Sequence, residues 1–306
     1  MTTFNRRRFL EGAAVSAAGL LLWPWRRALA AGAKPDLVDV SGSDPAKMVA
    51  AALDALGGMK KFVRRGDHVV IKPNAAFANP ADWGCTTHPQ TVLAVAQACL
   101  DAKAKSVTII EYPQAKADKC LKRCGLQAAM DTLPKVKIKL LKEQADFKKL
   151  KVKGGVALKE VDVAKEVLSA DVLINLPAAK AHSETGVSFG LKNAMGLIWD
   201  RKSFHTMFDL HQGIADLGRV IKPQLTIVDA TRALLTNGPA GPGETAKPGR
   251  MVAGADVVAV DAYSLGLARF NQRQMTTADA RHILLAGKAG LGQVDVKQLR
   301  VKKVKA

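Results

Sequence analysis

An α/β fold is what this sequence predicts: one largely parallel sheet, or two, flanked by helices, as one large domain or two closely packed lobes. Two observations carry the expectation. Short apolar runs rich in β-branched residues recur at residues 67–72 (DHVVIK), 106–111 (SVTIIE), 171–176 (DVLINL) and 224–229 (QLTIVD). They read as strands buried on both faces. Stretches with helical spacing separate them, and strands alternating with helices imply βαβ units. No 20–50-residue repeat competes with this reading.

The elements follow in order. Residues 37–40 are a first short strand, and residues 45–56 a helix stopped by Gly57-Gly58. After the strand at 67–72, residues 88–102 form an amphipathic helix with Pro89 in its first turn, where a missing N–H costs nothing. The strand at 106–111 leads to a helical stretch, 115–133, broken around Gly125. Residues 135–141 alternate Val136-Lys137-Ile138-Lys139-Leu140, the pattern of an edge strand that turns lysines to water. A lysine-rich segment follows, and residues 161–168 lead into the strand at 171–176. Helices are expected over 209–221, 256–269 and 277–289, with strands at 224–229, 250–253 and 299–304. Residues 236–249 (TNGPAGPGETAKPG) form a long loop suited to a lid or a binding segment.

The chain begins with a targeting pattern. Asn5-Arg6-Arg7-Arg8-Phe9-Leu10 resembles the twin-arginine export signal, and residues 12–23 supply a moderately apolar stretch. That stretch is well short of the ~20 residues that span a bilayer. Ala28-Leu29-Ala30 offers an A-x-A cleavage site. Residues 1–30 are therefore expected to be a signal and residues 31–306 the α/β domain. The implied partner is the twin-arginine translocase, which carries folded chains, and the implied destination is periplasmic or extracytoplasmic.

The formal charge is +19, and eight lysines fall between Lys135 and Lys153. Nucleic acid is not the expected partner, because aromatic residues make up only 5% of the chain and stacking platforms are correspondingly few. Membrane contact is expected only through the signal or through weak attraction to anionic surfaces.

Residues 171–196 (DVLINLPAAKAHSETGVSFGLKNAMG) are the most informative segment. A buried-type strand ends at Pro177, which cannot donate to a ladder. It empties into a loop bearing Lys180, His182, Ser183, Glu184, Thr185, Ser188, Lys192 and Asn193. α/β proteins build ligand sites in this way, beyond the carboxyl ends of their strands.

Further motifs stand in order along the chain. Ile71-Lys72-Pro73-Asn74 ends a strand, and Thr86-Thr87-His88-Pro89 opens a helix. Lys180-x-His182, Leu191-Lys192-Asn193-x-x-Gly196, Asp200-Arg201-Lys202, Leu210-His211-x-x-Ile214-Ala215-Asp216-Leu217, Thr226-Ile227-Val228-Asp229-Ala230 and Asp256-x-Val258-Ala259-Val260-Asp261-Ala262 complete the set. Together they resemble the DUF362 family over about residues 67–270. The resemblance implies a fold and a site far better than a reaction, since the family's name declares its biochemistry unestablished. Some relatives carry a ferredoxin-like module, but this chain has no C-x-x-C-x-x-C run. A shorter stretch, His182-x-x-x-Gly186-x-Ser188-x-Gly190-x-Lys192, is similar to one in nickel-pincer lactate racemases, where histidines and lysines serve a pyridinium-derived nickel cofactor.

Because strand ends share one rim, Lys72, Asn74, Thr86, Thr87, His88, Lys180, His182, Thr185, Ser188, Lys192, Asn193 and Asp229 are expected around one cleft. Lysines supply positive charge, and threonines with helix-start amides cradle anions. The expected ligand is a small molecule with a carboxylate or phosphate. His182 and His88 are the expected acid–base residues, and Lys180 or Lys192 the electrophilic stabiliser. Alternatives are a non-catalytic ligand or cofactor binder and a metal- or iron–sulfur-associated redox protein. The residues name no cofactor. His205, Asp209, His211 and Asp216 could bind a divalent ion, but their spacing matches no standard motif, and no metal ligands are assigned. Cys85, beside Thr86, is placed near the cleft, and Cys99 in the core. Cys120 and Cys124 are a strained i, i+4 pair. Asp256 is expected to cap a helix, with Asp261 one turn on.

Overall fold

The computed structural model describes residues 35–207 and 209–306; the twin-arginine stretch lies outside them. The apolar runs pair side by side into one sheet. Its strands are β1 (Leu37–Ser41), β2 (His68–Pro73), β3 (Ser106–Glu111), β4 (Val136–Leu140), β7 (Val172–Leu176), β10 (Leu225–Leu234), β12 (Arg250–Gly254) and β13 (Val301–Lys305). Their spatial order is β13-β1-β12-β10-β7-β2-β3-β4. Five neighbours, β10, β7, β2, β3 and β4, are mutually parallel. β12 runs against both β10 and β1, and β13 lies parallel to β1 at one edge. The sheet is therefore largely parallel, and residues 35–306 form one unit.

Alternate residues of the central strands serve opposite faces, as a pleated strand requires. Ile71, Ile109, Ile174 and Ile227 pack with helices α1 (Pro45–Leu56) and α2 (Pro89–Asp101). Val70, Ile110, Leu173 and Val228 pack with α8 (Leu210–Leu217), α9 (Val257–Ser264) and α10 (Arg281–Lys288). Helix α1 has Asp44 as its N-cap and ends at Gly57, whose φ of 101° suits glycine. β4 is an edge strand, as its alternation predicts, with Lys137 exposed.

Several elements differ from the sequence expectation. The lysine-rich segment forms a separate antiparallel pair, β5 (Phe147–Lys151) with β6 (Glu160–Ala164), and α5 (Lys165–Ser169) follows. The stretch 115–133, as expected, breaks at Gly125 (φ 79°) into α3 (Ala117–Arg123) and α4 (Leu126–Met130). The three C-terminal helices are shorter than their apolar stretches. Most consequentially, the polar loop after β7 is a hairpin, β8 (Ala178–His182) with β9 (Gly186–Ser188). The one-turn helix α6 (Gly190–Asn193) and the short helix α7 (Arg201–Thr206) come after it. β8 also pairs parallel with β10 beyond Pro177, so tertiary pairing holds a sequence of weak strand propensity. The loop 236–249 contains the short strand β11 (Thr245–Ala246).

This topology sets the place of a site. From β2 the chain crosses to β3 on one side, whereas β7 lies on the other side and leads outward to β10. The crevice at such a reversal, beyond the carboxyl ends of the strands, is where open α/β sheets bind ligands.

Candidate functional site

A cavity of about 290 Å³ opens at that reversal. Lys72 is the penultimate residue of β2, and its ammonium lies 3.0 Å from Glu111, the last residue of β3. Glu111 also accepts from the backbone N–H groups of Ala75 (2.7 Å) and Tyr112 (2.9 Å). Burial pulls the Lys72 ammonium below its ordinary value, while Glu111 opposes the shift. Asn193 braces this floor. Its amide donates to Asn175 Oδ1 on β7 (2.8 Å) and to the Lys72 carbonyl (3.2 Å), and its Oδ1 accepts from Asn74 (3.1 Å). A Cβ at Gly196 would meet Lys72 Cε at 2.6 Å, so a larger residue there would displace the Lys72 ammonium from its place beside Glu111.

The wall above the floor is basic. Lys180 on β8 donates to Asn74 Oδ1 (3.1 Å) and the Cys85 carbonyl (2.6 Å), and its Nζ lies 4.6 Å from the Phe77 ring centroid. Burial draws its pKa down to about 7. Lys192, on α6, is drawn down to about 8, again chiefly by burial. It lines the cavity and makes no hydrogen bond or ion pair with the described residues. The start of α6 is pinned from behind. Buried Asp261 accepts from the N–H groups of Gly190 and Leu191, both at 2.8 Å, and its own burial raises its pKa to about 7.

His182 also faces the cavity, yet its geometry makes it a donor. Its Nδ1 accepts from the N–H groups of Glu184 (3.2 Å) and Thr185 (3.4 Å). A neutral ring so held carries its proton on Nε2. Burial, reinforced by Lys192 and Lys180, depresses its pKa to about 2, so the ring stays neutral. With Nδ1 occupied by these two bonds, the other ring nitrogen carries the proton. His205 stacks beside it at 6.4 Å between centroids and hydrogen-bonds both oxygens of Glu184 at 2.9 Å. Ser188 lines the same space.

Of the expected site residues, Lys72, Asn74, Lys180, His182, Ser188, Lys192 and Asn193 come together on the cavity. Five do not line it. His88 is the N-cap of α2, its Nδ1 accepting from Gln90 N–H at 3.1 Å. Asp229 accepts from the His88 and Thr231 N–H groups and from the Thr91 and Thr231 hydroxyls. Thr87 ties Asn74 N–H to the Leu176 carbonyl. Thr185 closes its own turn on the Val187 carbonyl, and the Thr86 hydroxyl is buried without a partner. The loop 236–249 contributes Pro239 to the lining.

Sequence reasoning misses Glu111, Phe77 and Gln114, and gives Arg201 no role. A signal for Glu111 exists: it stands at the carboxyl end of a buried strand, as Lys72 does. The polar residues of α8 go elsewhere. Asp209 caps that helix and meets Arg281, while Asp216 accepts the N–H groups of Val156, Ala157 and Leu158. Among the described residues no three His, Cys, Asp or Glu side chains converge as a metal site. The four cysteines are buried and free, and Asp256 caps α9.

Residues 69–266 match the family described as "Domain of unknown function (DUF362)". The chain belongs to the DUF362 family. A thylakoid-associated protein of Synechocystis sp. is 29% identical over 222 residues, spanning 68% of this chain and 65% of its own length. The chain thus covers slightly less than two thirds of that relative. Among solved structures, the lactate racemase apoprotein of Thermoanaerobacterium thermosaccharolyticum is similar at a TM-score of 0.46 and 12% identity, over 64% of this chain and 51% of that one.

Proposed function

We propose that this DUF362 cavity binds a small molecule bearing a carboxylate or phosphate and exchanges a proton with it. One observation carries the reading: the Lys192 amine lines the cavity, half-buried and with no acceptor within hydrogen-bond reach among the described residues. A partly desolvated charge without a hydrogen-bonded counter-ion is unfavourable, and an anionic ligand supplies one. The His182 Nε2–H and the Ser188 hydroxyl are the neutral donors that orient the anion. Lys180, with a pKa of about 7, is the group that accepts or returns a proton at Nζ near neutrality. His182 assists as a neutral electrophile.

Calorimetric titration of the full chain with acetate and inorganic phosphate tests the binding. Both should bind, and Lys192→Met should weaken them at least ~10-fold, the usual scale for losing a charge-assisted contact. Solvent-deuterium exchange into 2-hydroxy and 2-oxo carboxylates, followed by proton NMR, tests the chemistry. Exchange should occur and vanish in Lys180→Met; binding without exchange would leave a ligand binder.

The same reading includes export. Residues 1–30 act as a twin-arginine signal recognised by the translocase, and the folded domain works outside the cytoplasm. Nucleic acid is no partner, and membrane contact is confined to the signal or weak surface attraction. Cell fractionation of Arg6→Lys/Arg7→Lys tests this, with the chain expected to stay cytoplasmic.

A further inference from the structure

We infer that the ligand is a dianion with two separated acidic groups, one met by Lys192 inside the cavity and the other by Arg201 at its mouth. The inference rests on the anion-binding reading above and deepens it. The inner cavity does not end at its rim. An outer hollow of about 600 Å³ shares Gln114, Glu184, Arg201 and His205 with it, so the two form one continuous groove.

Arg201 stands at the junction and is held in place. Its guanidinium packs 3.9 Å from the Tyr112 ring centroid, and its Nη1 and Nη2 donate to the carbonyls of Tyr112 (2.7 Å) and Pro113 (3.3 Å). Carbonyls orient a guanidinium without cancelling its charge. No carboxylate pairs with Arg201 among the described residues, whereas Lys72 is matched by Glu111 and Glu184 is engaged by His205. Two cations with no ion-pair partner among the described residues, Lys192 and Arg201, thus line one groove, with Glu184 and Glu111 acting on them only through space. A monoanion meets only one of them. A dianion of sufficient reach meets both, and the fixed planar fork of Arg201 suits a carboxylate or phosphate.

Calorimetry on the full chain at pH 7 decides the matter with succinate, glutarate and adipate, each against the monocarboxylate of equal carbon number. The best diacid should bind at least ~10-fold tighter than its monoacid, the scale of one added charge-assisted contact. Arg201→Met should abolish that preference, and Arg201→Lys should keep part of it. Thermal melts verify that each variant is folded; if Arg201→Met is not, the native and Arg201→Lys titrations still decide. Equal binding of diacids and monoacids, or a preference unchanged in Arg201→Met, overturns the inference while the anion-binding reading stands. Failure of every acid to bind overturns both.

Discussion

Two polar clusters sit at the carboxyl rim of the same sheet, and they differ in one respect. Around Asp229, the carboxylate, the His88 N–H, and the Thr91 and Thr231 hydroxyls bond to one another. Around Lys192, the floor residues saturate one another, but Lys192 itself and the Ser188 hydroxyl face the cavity. Both clusters contain the residue types that suggest chemistry. The first is a brace that fastens α2 to β10, and the second is a floor built beneath a cavity. What separates a site from a brace is unsatisfied bonding capacity aimed into such a space.

Mutations should pull the two clusters apart. The largest effect is expected from Asp229→Ala, which strands four donors around a side chain only 2% exposed. Chemical denaturation should show a loss of about 3 kcal/mol, with anion affinity in the surviving fold unchanged. Lys192→Met should do the reverse. Removing a half-buried amine that has no hydrogen-bond partner should leave stability level, while anion affinity falls.

The pH dependence is next. Only the ammonium form of Lys192 attracts an anion, and its pKa is about 8. Affinity measured by calorimetry should therefore fall as pH rises through that value, in addition to a fall near pH 7 as Lys180 loses its proton. The fall near pH 8 should be absent in Lys192→Met. His88→Ala should have the smallest effect, costing about 1 kcal/mol as a lost N-cap, with affinity intact. Were His88→Ala instead to weaken binding, the separation between brace and site would be broken.

Much of this arrangement is legible in the amino-acid sequence. Buried strands announce themselves as continuous apolar runs, and β2, β3, β7 and the start of β10 lie where those runs fall. Lys72, Asn74, Lys180, His182, Lys192 and Asn193 stand out because they follow such runs. The β8–β9 hairpin is not legible, since Ala178, Ala179 and Ala181 have little strand preference and are ordered by pairing with β10 and β9. His88 and Asp229 cannot be told from site residues by type, because whether a donor meets a protein partner or a cavity depends on elements far apart in the chain. The tautomer of His182 is equally hidden, being set by two backbone N–H groups of its own turn.

The floor also carries a kinetic consequence. Lys72 meets Asn193 across 121 residues of chain, and Lys180 meets Asn74 across 106. Contacts of such separation close late in folding, after local elements have formed. A partly folded chain lacks this floor, so an anion bound above it would stabilise only the finished molecule, by an amount that grows with the logarithm of its concentration. Binding there would be a readout of completed folding.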